Sequence, residues 1–346
     1  MTTMSHRRGR SAFLVVARAA GLAVAAGCLG AGPVLAHGPV PAEPPTLLGL
    51  ALGWTIEPAV LLPLLAVAAG WIWMIRSIDR VHPGNPVPRR RSVAFFGGLG
   101  VIAVALMSGI DSYDTTLFSV HMVQHLLLTL VAAPLIALAA PITALLRVAT
   151  PNVRRTVILP VLHSRLLRVL SFPVVAWVIF AGVMWGTHFS PLFDRALEDP
   201  LVHDLEHALY LAAGLLFWWP AVGLDPSPWR LPHPVRAMYV LLQMPQNTFL
   251  AVAIISSSVP LYAHYATLTR SWGPSALEDQ QIAGSLMWIG GDALFIAAMA
   301  AVIAAWMSHE KRREAAVDRQ VDRERAELRV RETRLAERLA EEREGR

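Results

Sequence analysis

The chain predicts an all-α integral membrane protein: a bundle of seven transmembrane helices after an N-terminal signal segment, ending in a charged helical tail. Three observations carry that expectation. Of the 346 residues, 55% are hydrophobic and only 16% are charged. The apolar residues come in long blocks, each near the ~20 residues a helix needs to cross the hydrocarbon core. The loops between the blocks alternate between arginine-rich and acidic or neutral, the charge signature of a polytopic protein.

Residues 1–36 have a basic start, an apolar middle and a small-residue end at Ala36, the pattern of a secretory signal peptide. Arg18 interrupts the apolar part, so an uncleaved segment stays open. The stretch "AAGC" ending at Cys28 is a loose match to a lipoprotein cleavage site. Cleavage after Ala36 leaves His37 at the new terminus, where amine and imidazole together can hold copper; a plain leader over 37–55 is the alternative. Cys28 is the single cysteine, which excludes an intramolecular disulfide and any Cys-pair metal box.

Seven spans follow, near 56–75, 93–109, 117–146, 172–188, 203–222, 235–257 and 282–307, forming a transmembrane domain over 56–308. "RSIDRVHPGNPVPRRRS", "LLRVATPNVRRTVILPVLHSRLLRVLS", "SPWRLPHPVR" and "HEKRRE" belong inside by the positive-inside rule. "SGIDSYDTTLFS", "GTHFSPLFDRALEDPLVHDLEH" and "LYAHYATLTRSWGPSALEDQQ" belong outside. The net charge of +5 therefore reflects membrane orientation, not a nucleic-acid partner. The tail, 309–346, is cytoplasmic on this scheme and reads as a helix with near-balanced charge and pairs such as Glu327 and Arg331. Val321, Leu328 and Leu335 recur at heptad spacing, which a coiled-coil contact or a solvated single helix would both satisfy.

Orientation sorts the histidines. His121, His125, His188, His203, His207 and His264 fall on the outer side, whereas His82, His163, His233 and His309 sit in inner arginine-rich loops. Two H-x-x-x-H pairs, His121/His125 and His203/His207, place two imidazoles on one helix face with about 6 Å of rise between them. Met184 and His188 repeat the spacing with a thioether, and Met122 adds a sulfur nearby. Asp111, Asp199 and Glu206 can accept the second ring N–H and orient a ligating imidazole. Imidazole with thioether and no thiolate favours copper; zinc or iron suit imidazole alone. Haem b is a competitor, for which facing helices would each supply one histidine. Taken singly, an interfacial histidine is more often a packed polar residue than a ligand; two pairs on one side shift the balance towards a site. Each imidazole must lose its proton to bind a metal, so affinity is expected to fall below about pH 6.5.

A second polar set lies deeper. Asp292 sits roughly 15 Å into the last span, where a carboxylate is paired or functional. The sixth span carries Gln243 and Asn247 on one face beside Pro245, and Asp292 is expected to face one of these amides. A hydrogen-bond lock between two helices or a small-ion or proton path would use the same residues.

The stretches "SGIDSYDTTLFSVHMVQHLLLTLVAAPLIALAAPITALLR", "PLVHDLEHALYLAAGLLFWWPAVGLDP", "LLQMPQNTFLAVAI" and "LEDQQIAGSLMWIGGD" resemble the CtaG family of cytochrome c oxidase assembly factors. The resemblance covers residues about 47 to 307 and leaves out the signal region and the tail. It implies a multi-pass protein of the bacterial cytoplasmic membrane, needed to mature a haem–copper oxidase of the caa(3) type. It does not extend to the unrelated oxidase copper chaperones, whose soluble domain carries copper-binding cysteines. His121, His125, His203, His207, Met287, Trp288 and Asp292 fall on the motif positions; His188 and Met184 rest on spacing. The combined expectation is a binding and assembly protein, not an enzyme. It would hold copper through His121, His125, His203 and His207, with His188 and Met184 auxiliary. Its partners would be oxidase subunits, the lipid bilayer and a copper chaperone. A haem-bearing redox protein and an ion transporter working through Asp292 are the alternatives.

Overall fold

The computed structural model describes residues 40–344, and all regular structure among them is helical. The expected signal segment and His37 lie outside the described residues. Eight principal helices follow: α1 (Pro58–Val81), α2 (Arg89–Tyr113), α3 (Phe118–Val148), α4 (Pro173–His188), α5 (Leu192–Glu198), α6 (Pro200–Val222), α7 (His233–Ile255) and α8, which starts at Ala276. α8 runs on through Gly291–Glu344, so the charged tail continues the last span without a break.

Five of these, α1, α2, α3, α7 and α8, are long and apolar enough to cross a membrane. α4 and α5 meet at a 68° bend, a broken sixth span or a re-entrant pair. Residues of the expected span over 203–222 form α6, a 23-residue helix that is not among those long and apolar enough to cross a membrane, so the described residues show five such helices, or six with the bent pair as one span. Its buried face carries His203, Glu206 and His207.

Local chemistry sets the helix starts. α6 begins at Asp199, whose carboxylate accepts the amides of Leu201 and Val202, with Pro200 in the first helical position. α8 begins in a capping box between Ser275 and Glu278. α3 has no side-chain cap of its own. Instead Asp279 of α8 accepts the Phe118 amide at 2.7 Å and the Ser119 hydroxyl at 2.5 Å, so a carboxylate from another helix satisfies the orphan donors there. That cap sets the height of His121, three residues on.

α3 is the central rod. Gly98 of α2 and Gly214 of α6 approach it from two sides, and a Cβ on either would lie 3.2 Å from a carbonyl oxygen of α3, that of Ala132 or Thr129. Small residues allow this close approach, which in lipid is the main source of helix association. Both glycines face the turn where α3 leaves α-helical geometry: Leu127–Ala132 is a π-helix. A second π segment, Leu286–Gly290, interrupts α8. Such bulges free backbone groups and re-aim side chains, and they concentrate at functional sites.

Candidate metal centre

Three helices and one link bring a ring of polar side chains together at the end of the bundle where α3 begins. His121 and His125 come from α3, His188 from the end of α4, and His203, Glu206 and His207 from α6; Asp114 sits in the link between α2 and α3. All seven are buried, His121 and Asp114 completely. The link is pinned by Tyr265, whose hydroxyl donates to Asp114 O at 2.6 Å, and by His264, whose ring donates to Thr115 O at 2.8 Å.

The rings are close. His121 and His125 lie 4.2 Å apart between centroids, His203 and His207 also 4.2 Å, and His121 and His203 5.3 Å. His125 is 6.4 Å from His188 and stacks on Tyr210 at 3.9 Å. The two i, i+4 pairs therefore face each other across the α3–α6 contact. Two sets of ligand atoms each converge within 4.8 Å: Asp114, His121 and His203, and His121, His125 and Glu206. His121 belongs to both. Its Nε2 is 3.8 Å from Glu206 Oε2 and 2.9 Å from His125 Nε2, and His203 Nε2 is 3.7 Å from Asp114 Oδ2.

Burial, with the Asp111 carboxylate beside it, holds the Asp114 carboxyl well above the usual carboxylate range. Neither oxygen of Glu206 has a hydrogen-bond donor among the described residues. Buried carboxylates so placed call for protons or a cation. Phe193, on the short helix α5, closes the cluster from above: its ring lies 5.0 Å from His121 and 5.4 Å from His188, and stacks on Tyr262 at 4.2 Å. The bend after α4 is what lays it there.

Gln124 orders the other flank. Its amide nitrogen donates to Ala105 O at 2.9 Å and to Asp111 Oδ1 at 3.4 Å. Its carbonyl oxygen accepts a hydrogen bond from His207 Nε2 at 3.0 Å and so orients that ring. Asp111 thus acts on His207 through an intervening amide.

The structure places the other expected residues as follows. Glu206 stands among the ligand atoms, not behind them, as its i+3 spacing from His203 allows. Asp199 caps α6 and its carboxylate is engaged by the helix amides. His188 and Met184 lie below His125, lining a separate small cavity. Asn247 donates to Asp292 Oδ1 at 3.1 Å and to Met287 O at 3.0 Å, and Thr248 donates to Asp292 Oδ2 at 2.9 Å. Gln243 is fully buried near this network without a hydrogen-bond partner for its side chain among the described residues. Asp114 and Gln124 are the two site residues that spacing alone does not identify. Asp114 is separated from His121 by a break in the helix, and Gln124 reads as one more polar residue beside a histidine.

Fold and site together define a polytopic helical membrane protein with a buried imidazole–carboxylate cluster at one end of the bundle. Residues 69–309 match the cytochrome c oxidase caa3 assembly factor family (Caa3_CtaG), and the chain belongs to that family. Uncharacterised proteins of Mycobacterium bovis and Mycobacterium tuberculosis are each 28% identical over 292 residues, covering 82% of this chain and 44% of theirs. One of Mycobacterium leprae is 27% identical over 288 residues, 81% of this chain and 43% of its own. The chain thus spans less than half the length of these curated relatives. No solved structure matches.

Proposed function

We propose that this protein binds copper in the cluster of His121, His125, His203 and His207 and delivers it to a caa3-type cytochrome c oxidase during assembly. Binding and hand-over, not catalysis, is its role. The observation that carries this is two buried sets of ligand atoms that share His121, Asp114/His121/His203 and His121/His125/Glu206, each within 4.8 Å. His207 is in neither set and flanks them, its ring 4.2 Å from that of His203. That donor set of nitrogen and oxygen suits a divalent first-row ion, and copper stands highest in affinity among them. The oxidase as partner follows from the family; a copper chaperone as the source follows from the cargo.

Topology is part of the proposal. With α6 counted as a span, seven crossings put the histidine end on the extracytoplasmic face and the tail in the cytoplasm, as the loop charges require. Haem fits less well: the cavity beside His125 and His188 holds about 20 Å³, far below a porphyrin. An ion path through Asp292 is also weaker, because Asn247 and Thr248 already occupy both carboxylate oxygens.

Replacing His121 and His125 together by Ala tests the delivery route. The variant is expected to insert normally and to leave the oxidase depleted of copper, measured by elemental analysis of the purified oxidase. Normal copper in that oxidase would sink the proposal.

A further inference from the structure

Beneath the imidazole–carboxylate cluster lies a cavity of about 20 Å³, room for one water or one ion. Three thioethers line it, Met122, Met184 and Met287, with His125, His188 and Asn247. The two π segments frame it: Thr129 and Leu130 of the first and Met287 of the second are on its wall.

The decisive contact is between His188 and Met122. His188 Nδ1 is 2.7 Å from Met184 O. A carbonyl oxygen only accepts, so Nδ1 carries the ring's proton, and Nε2 of the neutral imidazole presents a lone pair. Yet Nε2 lies 3.5 Å from Met122 Sδ, itself a lone-pair donor. The Thr187 and Tyr210 hydroxyls also reach Nδ1, at 3.4 and 3.3 Å; in the tautomer with the proton on Nδ1, two electron-pair donors, Nε2 and Sδ, face each other. With metal–nitrogen near ~2.0 Å and metal–sulfur near ~2.3 Å, a 3.5 Å separation spans roughly the tetrahedral angle about one ion.

We infer that the Met122–His188 chamber is a second metal site, selective for a soft monovalent ion, Cu(I), and distinct from the nitrogen–oxygen cluster above it. Thioether and imidazole donors with no carboxylate on the wall suit a soft cation of low charge, whereas Asp114 and Glu206 above suit a divalent one. Met184 and Met287 are the further thioether residues on its wall. The ion's identity as copper rests on the proposed function; the softness of the site does not.

Ag(I) is a redox-inert probe of such a site, and Zn(II) probes the cluster above. In purified full-length protein, Met122→Leu with Met287→Leu should weaken Ag(I) binding at least tenfold and leave Zn(II) affinity within twofold. Both are volume-conserving changes that a core tolerates. His203→Ala with Glu206→Gln should do the reverse. X-ray absorption of the bound silver should show sulfur neighbours in the wild type. Unchanged Ag(I) affinity in the methionine variant, or silver bound only by nitrogen and oxygen, overturns the inference. Normal oxidase copper in the His121/His125 variant, with sulfur-coordinated Ag(I) in the wild type and in the His203/Glu206 variant, would instead remove the delivery role and leave this site standing.

Discussion

Gln124 and Glu206 hold opposite positions at the site. Every polar atom of Gln124 is engaged, and through its carbonyl it orients His207. Its replacement by Leu keeps the volume and removes the orienting bond, so Zn(II) affinity should fall about 10- to 100-fold with helicity unchanged by circular dichroism. Glu206 has two buried oxygens without hydrogen bonds among the described residues, a strain that metal binding would relieve. Glu206→Gln should leave the melting temperature of the metal-free protein equal or higher, since a buried unsatisfied carboxylate costs about 1–3 kcal/mol or more. The rise in melting temperature that metal confers on the wild type should shrink in the same variant. A metal-free Glu206→Gln protein that melts well below the wild type would show that the carboxylate serves stability instead.

Helices contribute close approach and re-aimed turns. Gly214 sits against the π segment of α3, with Ala133 Cβ and Thr129 O within 3.2 Å of where its own Cβ would be. Gly214→Val should destabilise the detergent-solubilised protein by about 1–3 kcal/mol, read as a lowered melting temperature. It should also reduce metal binding, because α3 and α6 carry the two histidine pairs. In α7 and α8 the Asp292 network holds Met287 O and the π segment in place through Asn247. Asp292→Asn preserves shape, its amide oxygen still accepting from Asn247 and its nitrogen able to donate to the Thr248 hydroxyl, so stability should change by less than about 1 kcal/mol. Copper in the partner oxidase should remain normal at matched expression. A copper defect at normal stability would instead make Asp292 part of the ion's route.

At the scale of the whole molecule, the bundle and the tail are separable. Side chains from Lys311 to Leu335 are all exposed, Val321, Leu328 and Leu335 among them. Ending the chain after Ala316 should change bundle stability by less than about 0.5 kcal/mol and leave metal affinity unchanged. A drop in either would place the tail against the bundle or against a second copy. The membrane part, by contrast, works as one unit. The cap on α3 comes from α8, the lid over the cluster from α5, and the pin on Asp114 from the loop around Tyr265. Loop changes far along the chain therefore reach the site.

Sequence alone determined the apolar blocks, the charge alternation and the two histidine pairs. Span length and i, i+4 spacing are local properties, which a helix converts directly into position. It also paired Asp292 with an α7 amide, because a carboxylate at that depth needs a donor. Tertiary structure decided the rest. Asp114 enters the cluster across a helix break that no periodicity carries, and Glu206 moves to the front of the site only because α6 meets α3 with that face. The separation of a nitrogen–oxygen cluster from a sulfur-lined chamber depends on π turns and on a tautomer set by one carbonyl. Such effects arise where helices meet, and residue order along a single helix does not encode them.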